Sequence, residues 1–212
     1  FMQSMIFVFA EKNAGAKVLL KQIWSEPFYY SLLLTKKSSK IVSIKDLMGK
    51  RVAFVDEKSA SGYLYPQVML KKAKIDVGKF KSVKYSGSHQ ASVDLLSSNQ
   101  VDAIFVFGDD QQGKISAWTN FYKGNSKNQV RVVWASEPIP NDPFCVRQDF
   151  YDKFPKLTHS LMFSLIDIVA NPKMKSTLSG FISANGFAPA TTRQYDPVRE
   201  MVRELNLKLE QE

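Results

Sequence analysis

The hydrophobic period of this chain switches repeatedly between strict alternation, which suits a half-buried strand, and 3.6-residue spacing, which suits a helix. An apolar opening, Phe1 to Ala10, runs into Glu11-Lys12-Asn13-Ala14-Gly15 as a domain helix with a glycine stop would. Lys17 to Ile23 and Tyr29 to Thr35 read as strands. Ser43-Ile44-Lys45-Asp46 resembles a capping box and opens a short helix ending near Gly49. Three strand–turn–helix units follow. They comprise Arg51 to Val55 with a helix from about Tyr63 to Lys74, Ser82 to Tyr85 with Gln90 to Ser98, and Val101 to Phe107 with Asp109 to about Tyr122. Gly113 weakens the last helix, whereas Pro66 falls in a first turn, where its missing N–H does little harm. Val130 to Ala135 is a further strand, and the proline-rich run from Glu137 to Pro143 is a linker or crossover. Phe144 to Arg147 reads as strand, and the chain from Lys156 onward as helix broken at Asn171-Pro172, Gly186 to Ala190 and Pro197.

Such alternation implies an α/β fold with mainly parallel sheets. The prolines after Ala135 and a helical tail suggest that the chain returns to an earlier lobe. The expected division is a discontinuous first lobe, residues 1–50 and 143–212, around a second lobe, residues 51–142.

Two lobes of that size fit 212 residues. The net charge of +9 is compatible with nucleic acid, a membrane surface or a small anion. Its basic residues are scattered in short pairs such as Lys36-Lys37, with no zinc spacing and no RNA-binding aromatic signature, which favours a small anion over a nucleic-acid groove. The single cysteine, Cys145, excludes an intrachain disulfide and reads as a small buried hydrophobe. Nothing local pairs His89 or His159 with it as a catalytic base. No apolar run reaches the length of about 18 residues that a membrane-spanning helix needs. The start lacks a basic leader and a small-residue cleavage site, so no targeting segment is expected within the chain.

The most informative stretch runs from Val55 to Pro66. A strand ends, Ser59 and Ser61 follow one residue apart, Gly62 comes next, and a helix begins. Helix starts offer unpaired N–H groups and roughly half a positive charge, so they favour an anion. Ser61 reads equally well as an ordinary helix cap. Tyr85 to Gln90 repeats the arrangement, and His89 there is either an anion donor with a raised pKa or a plain surface or core histidine. In a parallel sheet both helix starts lie at the carboxyl ends of strands, where ligand crevices form. The aromatics Tyr29, Tyr30, Tyr63 and Tyr65 read mostly as packing groups.

Through these motifs the sequence resembles the substrate-binding proteins of phosphonate, phosphite and phosphate ABC transporters, which have the two-lobed type 2 periplasmic binding fold. The resemblance rests on Lys45 to Asp56, Ser61 to Pro66, Gly87-Ser88-His89, Gln100 to Ala103, Ser136 to Pro143 and Tyr195 to Arg199, with Glu11 to Ala16 near the start. It implies that Ser59 and Ser61 hold phosphoryl oxygens, helped by the N–H groups around Ala60 and Gly62. It makes Tyr29 an aromatic contact from the other lobe and His89 a contact at the second helix start. Asp109 and Asp142 match carboxylates that face a ligand ammonium in aminophosphonate binders. Residues read alone leave Asp109 also as a helix cap and Asp142 as a turn residue before Pro143. A carboxylate repels a fully ionised phosphate, so such a lining selects a ligand carrying an amine or a protonated P–OH. Ala60 stands where the family often has threonine and offers only its N–H. The family's amino-terminal strand–helix–strand unit is missing, so the first lobe is expected to be incomplete.

The function so implied is a non-catalytic solute-binding component of a bacterial ABC importer, taking a phosphonate, phosphite or phosphate in the interlobe cleft. Its partners would be that ligand and a membrane permease, with no nucleic acid, cofactor or metal. The protein would be a monomer, periplasmic or membrane-anchored outside the cytoplasm. The alternatives are a sensing receptor domain of the same fold or a phosphate-ester enzyme. The enzyme would need a metal cluster, a P-loop or a nucleophile–base pair, none of which the sequence offers.

Overall fold

The computed structural model describes residues 1–124, 128–177 and 184–208. The chain divides into two compact units, one formed by Phe1–Phe28 with Ile139–Glu212 and the other by Tyr29–Pro138.

The continuous unit is built on β2 (Phe28–Lys36), β3 (Arg51–Phe54), β4 (Ser82–Tyr85), β5 (Ala103–Gly108) and β6 (Val130–Ala135), in the order β4-β3-β5-β2-β6. Alternate residues of each central strand feed opposite faces, as a period of two requires. Leu32, Leu34, Ala53, Ile104 and Val106 pack with Val93 and Leu96 of α3 (His89–Ser97) and Trp118 of α4 (Ala117–Phe121). Leu33, Val52, Phe54 and Phe105 pack on the other side with Met69 and Leu70 of α2 (Tyr65–Lys72) and with Ile41 and Leu47. Covered on both faces, these strands read as nearly continuous apolar runs.

The discontinuous unit centres on β1 (Ala16–Ile23), flanked by β8 (Pro143–Arg147) and β9 (Gly186–Pro189), both antiparallel to it. The two-residue strand β7 (Ile139–Pro140) precedes β8. Around them lie α1 (Ser4–Ala14), α5 (Gln148–Lys153), α6 (Pro155–Ala170), α7 (Pro172–Thr177) and α8 (Asp196–Glu204). Gly15 ends α1 in the left-handed conformation, φ 59°, and its N–H donates to the Ala10 carbonyl. Glu11 of α1 pairs with Arg199 of α8. Asn141, buried in this unit, donates to the carbonyls of Gln22 (2.9 Å) and Glu26 (2.8 Å), and its own carbonyl accepts from the Tyr195 hydroxyl (2.9 Å).

Four expectations are corrected. The continuous unit begins at Tyr29 instead of residue 51 and ends at Pro138 instead of residue 142, because β2 hydrogen-bonds to β5 and β6 within its sheet. The sheets are not mainly parallel: β3 runs parallel to β4 and β5, but β2 is antiparallel to both its sheet neighbours, and the β8-β1-β9 sheet is wholly antiparallel. The helix expected from Asp109 shrinks to α4, because the Asp110 carboxylate takes the amides of Gln112, Lys114 and Ile115 and Gly113 turns at φ 72°. Gly186 to Pro189 forms a strand where a helix break was expected. Among the described residues no helix is long and apolar enough to cross a membrane.

Candidate functional site

The carboxyl ends of β3, β4 and β5 point to one edge of the continuous unit, because these strands are parallel. The amino end of the antiparallel β2 lies at the same edge, where Tyr30 faces Gly108. Chain order therefore delivers Tyr29, the Ser59–Gly62 loop, Gly87–His89 and Asp109 to one edge of the sheet. This corrects the expectation of Tyr29 as a contact from the other lobe: it shares the unit of the serine loop because β2 pairs with β5 there.

After Val55 the chain enters a π turn, Ala60–Leu64, which continues into α2. Ser59 is its cap: the Ser59 Oγ accepts from the Gly62 amide at 3.1 Å, and the Ser59 carbonyl accepts from Tyr63 (3.0 Å) and Leu64 (2.9 Å). Capping thus falls to Ser59, one turn start earlier than the sequence reading of Ser61. Ser61 is only 3% exposed. Its carbonyl accepts from the Ser31 hydroxyl at 2.6 Å, and the Ser31 amide donates to Ser136 Oγ at 2.9 Å, so two buried serines that the sequence reading passed over brace the loop from below. Their one sequence signal is polarity within apolar strand segments. Among the described residues the amides of Ala60 and Ser61 have no hydrogen-bond partner. Gly62 is required by packing, since a Cβ there would overlap the Val55 side chain and the Ser59 hydroxyl.

The second helix start repeats the arrangement. Ser88 caps α3 by accepting from the Ala91 amide at 3.1 Å, and the Gly87 turn is left-handed, φ 80°. His89 sits edge-on to Phe107, with ring centroids 5.0 Å apart, and its Nδ1 is buried without a hydrogen-bond partner. Burial pushes the imidazole down to about 4, against a weaker upward pull from the Asp56 carboxylate, so the ring is neutral at pH 7. A neutral imidazole can donate from one nitrogen only. The rise expected of a His89 that donates to an anion would be measured from this low starting value.

Asp109 follows β5, and its amide donates to the Ile115 carbonyl at 2.8 Å, so it belongs to a loop and caps no helix. Tyr63 packs edge-on to Phe54 at 5.4 Å and Tyr30 joins the inner core, which fits their reading as packing groups. Asp142 lies in the other unit. There its carboxylate accepts from the Ser4 amide (3.1 Å) and hydroxyl (3.4 Å) at the start of α1, and burial pushes its pKa up. Cys145 is half-buried, and burial pushes its thiol up to about 12, so it is no thiolate nucleophile. Among the described residues no cluster of His, Cys, Asp and Glu has the make-up of a metal site.

An α/β chain of two units, with helix starts gathered at strand ends, is an architecture that two-lobed solute-binding proteins use. Residues 1–195 match the family described as "ABC transporter, phosphonate, periplasmic substrate-binding protein", and the chain belongs to it. The chain is 27% identical over 173 residues to the probable ABC transporter phosphite binding protein PhnD1 of Prochlorococcus marinus, covering 79% of this chain and 56% of that protein. It is 31% identical over 158 residues to the phosphate-import protein PhnD of Mycolicibacterium smegmatis, covering 68% of this chain and 47% of that protein. The chain thus spans about half the length of these curated relatives. The structure of PhnD1 with methylphosphonate superposes with a TM-score of 0.66 at 24% identity, over 96% of this chain and 76% of that one. XAC2383 from Xanthomonas citri bound to ATP gives 0.72 at 19% identity, over 96% and 75%. The chain thus has the two-lobed type 2 fold of periplasmic binding proteins.

Proposed function

We propose that this protein is the solute-binding component of an ABC importer and takes a small phosphorus oxyanion at the strand-end edge of its continuous unit. The observation that carries this reading is the pair of unpartnered amides, Ala60 and Ser61, at a helix start beside the Ser61 hydroxyl. Donors held in place before the ligand arrives lose little on binding, and the helix start adds its partial positive charge. The Ser59 hydroxyl, whose proton stays available while its oxygen accepts from the Gly62 amide, and His89 complete the proposed oxyanion contacts, with Tyr29 as an aromatic wall. Asp109 would accept a hydrogen bond from a P–OH or face an amine. A contact from Asp142 rests on the family resemblance, since its carboxylate already serves Ser4. The names of the relatives support phosphite, phosphate or a phosphonate as ligand, a permease in the membrane as partner, and a place outside the cytoplasm for this protein.

Calorimetric titration with phosphate, phosphite and methylphosphonate, with sulfate as control, tests the reading. One phosphorus oxyanion should bind, and Ser61→Ala should weaken it roughly 10- to 100-fold, as expected for a hydrogen bond to a charged oxygen. The thermal midpoint of the free protein should stay nearly unchanged. Undiminished affinity in Ser61→Ala would remove the site from this loop.

A further inference from the structure

The positive charge of this chain is not spread over it. The continuous unit holds seventeen Lys and Arg against nine Asp and Glu, whereas the discontinuous unit holds twelve against eleven. Within the continuous unit the charge is polarised. Asp56, Glu57, Asp109, Asp110 and Glu137, against Lys58 and Lys114, follow the carboxyl ends of β3, β5 and β6, at the edge of the proposed oxyanion contacts. The amino ends of β3 and β4 lie at the opposite edge, where the Gly49 amide donates to the Lys79 carbonyl and the Lys81 amide to the Lys50 carbonyl, both at 2.9 Å. Segments 36–50 and 71–81, which meet there, contain ten lysines and two aspartates. The length of β3 alone keeps the two edges about 13 Å apart. Attraction of a small anion into the site does not explain a basic edge on the far side of the sheet.

Two apolar side chains stand among these lysines. Val42 is 65% exposed and Met48 50% exposed, while Ile41 and Leu47 beside them are buried. The Asp46 carboxylate accepts from the Val42 amide (3.0 Å) and the Ser43 amide (2.8 Å), which pins the loop with those two side chains outward. Lys40, Lys45, Lys79 and Lys81 are exposed at the same edge.

We propose that this edge docks onto the anionic headgroups of a lipid bilayer, with Val42 and Met48 seated among them. Lysines near an anionic surface each add attraction that salt screens, and apolar side chains entering the headgroup layer add a term that salt does not. A nucleic acid fits less well. The two guanidiniums at this edge are committed, Arg51 to the Asp102 carboxylate and Arg131 to the carbonyls of Lys37 and Ser39. No exposed aromatic ring accompanies the lysines among the described residues, so no base-stacking platform is present.

Co-sedimentation of the full chain with lipid vesicles tests this. The protein should pellet with vesicles rich in phosphatidylglycerol and stay in solution with phosphatidylcholine alone. The triple charge reversal Lys40→Glu, Lys45→Glu, Lys81→Glu should weaken binding by more than about 100-fold. The pair Val42→Ser, Met48→Ser should weaken it at high salt as well as low, while circular dichroism and the thermal midpoint stay those of the parent. Equal binding to both vesicle types, or no loss in the charge-reversed variant, would overturn the proposal. So would binding to duplex DNA or polyglutamate without binding to anionic vesicles. Because the variants leave the strand-end edge intact, calorimetry on the same proteins reads the oxyanion site separately.

Discussion

Two serines one residue apart divide the work at the first helix start. The Ser59 hydroxyl oxygen accepts from the Gly62 amide and so caps the turn, while the Ser61 hydroxyl lies beside unpartnered backbone donors. Ser59→Ala should therefore cost about 1 kcal/mol of folding stability, the usual loss of a cap, in urea denaturation of the ligand-free protein. Ser61→Ala should cost affinity instead. The pair of hydroxyls was legible in the sequence, but the assignment of the cap was not, because a π turn moves the helix start back to Ala60. His89 supplies a pH signature. Its folded pKa is near 4 against 6.5 for an ordinary histidine, so between these values the unfolded chain binds more protons. Its contribution is present above about pH 6.5 and is lost as pH falls toward 4, in total about 2–3 kcal/mol. Denaturation at pH 7 and pH 4 should show that loss in the parent, and His89→Gln should shrink it. Equal losses in both proteins would place His89 in a solvated setting.

At the scale of elements, the strand–turn–helix units around Ser59 and His89 were readable because strands and helices there have clean periods and the turns carry serine and glycine. The loop after β5 was not readable. Its helix-like spacing is overridden by one side chain, Asp110, which occupies three amides that a helix would have used otherwise. Strand β9 escaped notice because its four residues, Gly-Phe-Ala-Pro, carry punctuation signals and owe their extension to pairing with β1. Antiparallel pairing of β2 was equally invisible, since a strand buried on both faces looks the same in either direction. The Ile-Pro-Asn-Asp-Pro segment was recognised as a motif without a mechanism. The structure supplies one in Asn141, whose amide clamps the Gln22 carbonyl of β1 to the Glu26 carbonyl of the turn that follows. Asn141→Ala strands those acceptors and should lower stability by about 2–3 kcal/mol, seen as a lower urea midpoint with an unchanged slope.

On the scale of the whole molecule, chain connectivity decides which half can stand alone. Residues 29–138 are continuous and contain two packed clusters, on the two faces of one sheet. The other unit takes its central strand from residues 16–23 and both flanking strands from beyond residue 142. Residues 139–212 by themselves would leave β8 and β9 without the strand that both pair with, and Leu19 and Leu20 would be missing from their core. A fragment of residues 29–138 should therefore unfold cooperatively in urea and give dispersed amide resonances, in line with a domain of about 110 residues. The fragment of residues 139–212 should remain unfolded until a peptide of residues 1–28 is added, which returns β1 and α1 together. Cooperative folding of the 139–212 fragment on its own would show that its helices need no sheet. Folding of the 29–138 fragment would also allow the proposed oxyanion contacts and the basic edge to be tested on one small body, because every residue proposed for either, apart from Asp142, lies within it.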